Sequence, residues 1–265
     1  MSKTLVQQQF GANAANYVVS HVHAKGASLE RMVEVTAPEG SWSALDIATG
    51  GGHTALAFAP HVSHVIASDL TEEMLVQVRR QITEQGIGNI DTRRADAENL
   101  PFADGAFELV TCRIAPHHFS DIPRFLAQVF RVLAPGGKFA LVDNIAPDSS
   151  STPGFTDAEM AEAAATYNRF EKIRDPSHAR ALQPSEWDAA VQDAGFEILH
   201  REFIPKPMEF AVWLSNMSVP AKVPGLEAML RDAAPAFKAY IRPEDGDKGL
   251  GFTLTELMLI ARKPG

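Results

Sequence analysis

The run Leu45-Asp46-Ile47-Ala48-Thr49-Gly50-Gly51-Gly52-His53-Thr54 holds the residues most suited to chemistry. An apolar stretch ends around a carboxylate, consecutive glycines turn the chain, and a helix-compatible stretch follows. Glycine suits such a turn because a Cβ would block close approach of the backbone to a ligand. Asp69 ends the next apolar run, a spacing that lets its carboxylate accept from two ribose hydroxyls. The same turn also satisfies a dinucleotide fingerprint, Gly50-x-Gly52-x-x-Ala55, so a nicotinamide oxidoreductase stands as a second reading.

Three features separate the two readings. Asp46 lies at the turn, where a carboxylate repels a pyrophosphate but suits the ammonium of a methionine moiety. Asp96-Ala97-Glu98 ends a third apolar run, where an acidic or amide group can bond an adenine amino group. A helical segment precedes the first strand, whereas a nicotinamide domain often opens with the strand itself. These favour S-adenosylmethionine. Further along, His117 and His118 follow the fourth apolar run, where ligands sit in open sheets. His117 is the candidate general base, because histidine titrates near neutrality, and His118 is expected to pack beneath Phe119. Arg113 could contact the cofactor edge, hold an anionic acceptor, or close a strand-end ion pair.

The elements that must position these residues alternate. Apolar runs at Ser43–Ile47, His64–Ser68, Ile90–Ala95, Phe107–Arg113 and Phe139–Val142 read as strands buried on both faces of a parallel sheet. Between them, Thr71 opens a helix carrying Met74, Val78 and Ile82 on one face, closed by Gly86. A second helix starts near Ser120 or Asp121 and stops at Pro135-Gly136-Gly137. Ser185 is expected to cap a helix running to Gly195, with Asp188 near the reciprocal position. Glu197–Ile204 and Phe252–Arg262 are the last strands. The expectation is an α/β fold, Rossmann-like, with a doubly wound, seven-stranded, mostly parallel sheet.

The chain reads as one domain, 1–265, with an N-terminal helical lid over 1–40 and a cofactor-binding core over 41–147. Insertions over 148–183 and 205–250 would cover the acceptor site; the stretch to about Arg180 reads as helical, polar and irregular. Within the lid, Asn13–Val22 and Ser28–Val35 have helical spacing; Phe10 and Tyr17 either close over the methionine end or pack, and His21 and His23 read as surface or packing residues. Arg174–His178 either lines the mouth of the site or is an Asp-Pro helix stop. Met208, Phe210, Trp213, Leu214 and Met217 could roof an apolar acceptor, form the insertion's own core, or make a dimer contact. Cys112 reads as a buried strand residue.

Asp46–Thr54, Ser68-Asp69, Ala95–Phe102, Cys112–Phe119 and Val132–Gly137 together resemble the ubiquinone/menaquinone-biosynthesis-type methyltransferases, over about residues 10–145. Arg174–His178 with Glu186-Trp187 resembles a smaller group of uncharacterised bacterial enzymes in that superfamily. The resemblance implies a seven-stranded sheet, S-adenosyl-L-methionine as donor, and no metal. The expected cofactor-binding set is Tyr17, Asp46, Ala48, Thr49, Gly50, Gly52, Asp69, Leu70, Met74, Asp96, Ala97, Glu98 and Arg113. One departure shows: Ala48 stands where the usual D-x-G-x-G-x-G has its first glycine. The expected reaction is in-line methyl transfer to oxygen or carbon of a phenol, quinol or similar small molecule. A protein that holds the cofactor without turnover is the non-enzymatic alternative.

The net charge of -9 argues against a nucleic-acid partner, which would call for a basic stripe. One cysteine precludes an internal disulfide and fits a reducing compartment. The first ten residues hold no apolar run suited to a signal peptide, and no stretch is long and apolar enough to span a bilayer. A cytoplasmic location is expected, and a homodimer is left open.

Overall fold

The computed structural model describes residues 27–215 and 223–265. Phe10, Tyr17, His21, His23, Met217 and the Asn13–Val22 run lie outside them. Helix α1 (Ala27–Thr36) lies on one face of the sheet, with Met32 fully buried there. The sheet is built from β1 (Ser43–Ile47), β2 (His64–Asp69), β3 (Ile90–Arg94), β4 (Phe107–Arg113), β5 (Leu133–Asn144), β6 (Glu197–Glu209), β7 (Glu244–Gly246) and β8 (Gly249–Arg262). Its order is β3-β2-β1-β4-β5-β8-β6. The first five strands in chain order pair in parallel, and β8 runs antiparallel between β5 and β6. The sheet has eight strands rather than the expected seven. The extra one, β7, is a three-residue hairpin arm on β8 whose residues are all exposed, so no apolar alternation announced it.

Local chemistry explains most boundaries. Helix α2 (His53–Phe58) begins directly after the glycine turn. Helix α3 (Glu72–Gln85) carries two acids in its first turn, where they favour the positive end of the dipole, and ends at Gly86 in the left-handed region. Thr71 holds the N-cap position but makes no side-chain capping bond to the helix. Helix α4 (Ile122–Val132) is capped by Asp121, whose carboxylate accepts from the Arg124 N–H at 2.9 Å. β5 begins at Leu133, six residues before the expected Phe139, because Pro135-Gly136-Gly137 lies within a bulged first half of that strand rather than in a turn. Helix α6 (Pro184–Asp193) is entered from Gln183, whose N–H donates to Glu186 at 2.9 Å. Ser185, the expected cap, lies inside the helix, and its N–H is taken by Asp148 at 2.9 Å.

The stretch expected to be helical is a helix, α5 (Asp157–Arg174), unbroken rather than irregular and opened by a capping box between Thr156 and Glu159. It buries Met160, Ala163, Ala164, Tyr167, Phe170 and Glu171, a helical stripe disguised by alanines and a glutamate. β6 and β8 continue to Glu209 and Gly251, past the point where β5 ends, so part of the second expected insertion is strand. Pro205 and Pro207 are tolerated because β6 is an edge strand. Helices α7 (Phe210–Ser215), α8 (Val223–Arg231) and α9 (Pro235–Ile241) then join α5 around one core of Tyr167, Phe170, Trp213, Phe237, Tyr240 and Phe252. The two insertions are thus a single cap. Met208, Phe210 and Trp213 belong to its interior, and Leu214 packs against it. No helix among the described residues is long and apolar enough to cross a membrane.

Candidate active site

The carboxyl ends of β1, β2 and β4 converge on the glycine turn. Asp46 is buried under it, one carboxylate oxygen accepting from Thr49 Oγ1 at 2.6 Å and the other from Thr111 Oγ1 at 2.7 Å. Burial pushes its pKa up to about 6; the two hydroxyls and the Arg113 charge pull the other way. Asp69 is also buried, and it ties two elements together. Its carboxylate accepts from Gly50 N at 3.0 Å in the turn and from Thr71 N at 2.9 Å before α3. Burial raises its pKa, and those backbone bonds oppose the rise.

The turn itself explains its glycines. Gly52 sits at φ +84°, and a Cβ there would meet both Val78 methyls at 3.1 Å. Gly50 sits at φ +53° with nothing within 4 Å of a built Cβ, so this stretch of backbone faces open space. An open backbone cradle flanked by two buried carboxylates fits a ligand with a cationic amino-acid end and a ribose. Ala48 also has positive φ, +52°, in the left-handed region that favours glycine.

The remaining expected residues divide. Leu70 and Met74 follow Asp69, with Met74 buried at the start of α3. Asp96 lies just past β3, where its Oδ1 accepts from Glu98 N at 3.0 Å, and Ala97 is half-buried. Glu98 has a structural duty: its Oε1 accepts from Ser120 N, Ser120 Oγ and Asp121 N at 2.8–3.0 Å, fixing the entry to α4. Arg113 donates from Nε to Thr54 Oγ1 at 3.2 Å and feels the Glu256 and Asp46 charges.

Beyond β4 the chain passes Ile114, a β-branched residue held at φ +53°, into a short 3-10 turn over Pro116–His118. Such an outlier in a β-branched residue stores strain and clusters with functional sites. The turn delivers His117 to Asp143 near the end of β5. The Asp143 carboxylate accepts from the His117 backbone N–H at 2.9 Å and meets His117 Nδ1 at 2.6 Å. Asp143 is 1% exposed. With Nδ1 donating to this carboxylate, Nε2 is left as the basic nitrogen. Burial works against the charged ring, but Asp143, with Glu171 and Asp175 beyond it, outweighs burial and raises the His117 pKa above its ordinary value.

His118 and His178 pack beside it, their ring centroids 4.2 and 5.6 Å from that of His117. His118 contacts the Ser177 carbonyl through Nδ1 at 3.0 Å, and His178 Nε2 lies 2.9 Å from Asn168 Oδ1. Burial, then the His117 charge, presses their pKa values down to about 3 and about 2, so they stay neutral. Arg174–His178 contains the helix stop the sequence suggested: α5 ends at Arg174, and Ser177 and His178 are buried against the histidine pair. Sequence reasoning did not single out Asp143, Thr111, Tyr167 or Glu171. Asp143 was findable, as a lone carboxylate closing an apolar strand at the sheet's carboxyl edge.

Residues 44–137 match a methyltransferase domain family. The chain is 34% identical to the uncharacterised methyltransferase YcgJ of Bacillus subtilis over 214 residues, 80% of this chain and 79% of that protein. It superposes on the crystal structure of YcgJ with a TM-score of 0.79 and 29% identity, covering 90% of this chain and 98% of that one. A ubiquinone/menaquinone biosynthesis C-methyltransferase of Vibrio parahaemolyticus is 30% identical over 58% of this chain and 63% of that protein. These matches overturn the nicotinamide reading. The chain belongs to the class I S-adenosylmethionine-dependent methyltransferases, and S-adenosyl-L-methionine is its methyl donor.

Proposed function

We propose that the protein methylates an oxygen or carbon of a small phenol or quinol, with His117 as general base. The observation carrying this reading is the His117–Asp143 pair, buried at the carboxyl edge of β4 and β5 beneath the cap. Similarity to a C-methyltransferase of ubiquinone/menaquinone biosynthesis supports the acceptor class. When bound, S-adenosylmethionine supplies an activated sulfonium methyl. Asp46, Ala48, Thr49, Gly50, Gly52, Asp69, Leu70, Met74, Asp96, Ala97 and Arg113 would hold it along the strand ends. The protein then has to orient the acceptor, exclude water and take a proton. His117 Nε2 accepts that proton, and Asp143 holds the tautomer and steadies the resulting imidazolium.

The test is release of S-adenosylhomocysteine with a panel of phenols and quinols. A lost general base costs about 10²–10⁴-fold, so His117→Asn should lose turnover on that scale and keep donor affinity. The kcat/KM profile should rise with pH as His117 loses its proton, with a midpoint above the ordinary histidine value. Asp143→Asn should move that midpoint down as well as slow the reaction. A profile that stays put in Asp143→Asn, or a His117→Asn enzyme at full rate, would remove His117 from the chemistry.

A further inference from the structure

The segment that follows α5 is buried: Asp175 is 5% exposed, Ser177 0% and His178 3%. Asp175 builds it. Its N–H donates to the Glu171 carbonyl at 2.7 Å, and its Oδ1 accepts from Ser177 N at 2.8 Å and Ser177 Oγ at 2.6 Å. The His178 N–H returns to the Asp175 carbonyl at 3.0 Å. The next two N–H groups, of Ala179 and Arg180, both donate to the His117 carbonyl, at 2.8 and 3.0 Å. The turn is thus tied to the backbone of the candidate base.

The same turn fixes which nitrogen of each neighbouring ring carries its proton. His118 Nδ1 lies 3.0 Å from the Ser177 carbonyl, which can only accept, so Nδ1 is protonated. Ser177 Oγ, its own proton given to Asp175, lies 3.3 Å from that nitrogen and accepts as well. His118 Nε2 then faces Asp175 Oδ2 at 3.9 Å. For His178 the Asn168 amide decides. Its Nδ2 donates to the carbonyls of Ala164 and Ala181, both at 3.1 Å, and its Oδ1 accepts from Ala181 N at 2.7 Å. That orientation leaves Oδ1 to accept from His178 Nε2 at 2.9 Å, so the His178 proton sits on Nε2.

We propose that Asp175 is a positioning residue for the methyl-transfer base: the turn it closes with Ser177 holds His118 and His178 against His117 in one tautomer each, so that His117 alone takes the acceptor's proton. The proposal rests on the general-base reading of His117 above. A proton on either neighbour would repel the one His117 must accept. The charged groups that act on His117 are Asp143 on β5, Glu171 on α5 and Asp175 in the turn, all favouring its imidazolium. Burial, then the His117 charge, keeps His118 and His178 neutral; Arg174 acts the same way on both and Lys172 on His178, whereas Asp175 favours a charged His118.

The experiment is nitrogen NMR of the full chain labelled at histidine, titrated over the neutral range. In the wild type His118 should keep its proton on Nδ1 and His178 on Nε2 throughout, with His117 alone titrating. Asp175→Asn retains an oxygen for Ser177 and removes the charge. It should hold both tautomers and lower the His117 midpoint by about half a pH unit or more, the scale of one partly screened charge. Asp175→Ala removes the oxygen too, and its His118 should show a mixture of tautomers. Binding of S-adenosylhomocysteine reports that each variant is folded. Another tautomer or a second titrating ring in the wild type, an unmoved His117 midpoint in Asp175→Asn, or a single His118 tautomer in Asp175→Ala overturns the proposal. The kcat/KM profile of Asp175→Asn should move with the NMR midpoint. A midpoint that moves while the profile stays put would instead sink the general-base reading, with the tautomers of the three rings still as assigned.

Discussion

At the scale of single residues, the proposed donor site includes a carboxylate that burial favours in its neutral form. Asp46 titrates at about 6 rather than near 3.8. A raised carboxyl pKa stabilises the fold at low pH, and that contribution fades as pH rises from about 4 to about 6. A cationic ligand reverses the preference, because it interacts favourably only with the carboxylate. Donor affinity should therefore climb as pH rises through about 6 and fall below it by up to about tenfold per pH unit. Calorimetric titration of S-adenosylmethionine between pH 5 and 8 checks this, and Asp46→Asn should flatten the curve. An affinity independent of pH in the wild type would show that Asp46 does not meet the ligand's charge. The places of Asp46 and Asp69 at the carboxyl ends of β1 and β2 were legible from spacing alone. Their duties within the protein were not, because Thr111 and Gly50 reach them only through the fold.

At the scale of elements, what the sequence revealed depended on how plainly each element's burial was written in apolar residues. β1 and β4 are buried on both faces, and their apolar runs match their observed limits. α5 was obscured because its buried stripe is made of alanines, Tyr167 and Glu171 as much as of large apolar residues. Glu98 carries a duty that its position in the sequence did not show: it organises the entry to α4. Its Oε1 accepts from Ser120 N and Oγ and from Asp121 N. Asp121 in turn caps the helix, so the two carboxylates act in series. Glu98→Ala orphans those donors and should cost about 2–3 kcal/mol of stability, on the scale of bonds to a charged group. Chemical denaturation measures the loss, with donor affinity near wild type in the protein that stays folded. A large loss of affinity with unchanged stability would return Glu98 to the cofactor set.

At the scale of the whole molecule, two bodies of apolar packing divide the labour. The sheet's two faces carry one set of clusters, around Phe125, Phe139 and Leu141 on one side and Met32, Val78 and Met258 on the other. The cap has its own core, with Trp213 stacked on Phe170 at 4.6 Å and meeting Phe252 edge-on at 5.2 Å. The glycine turn and Asp69 belong to the sheet, whereas Tyr167 and Glu171 belong to the cap. The two parts are packed separately and meet where the Tyr240 hydroxyl donates to the Ile145 carbonyl, two residues past Asp143. Trp213 is 1% exposed, its backbone carbonyl accepts from Arg174 Nε at 3.0 Å, and the Arg174 guanidinium lies 4.6 Å over its ring. Trp213→Ala opens a cavity in the cap alone and should cost about 3–5 kcal/mol. Hydrogen exchange should show the loss in α5 and α9, with the strands of the sheet still protected. S-adenosylhomocysteine should bind nearly as well as before, while KM for the acceptor rises. If donor affinity falls in step with stability, cap and sheet are one cooperative unit, and the donor site depends on the cap as much as on the glycine turn.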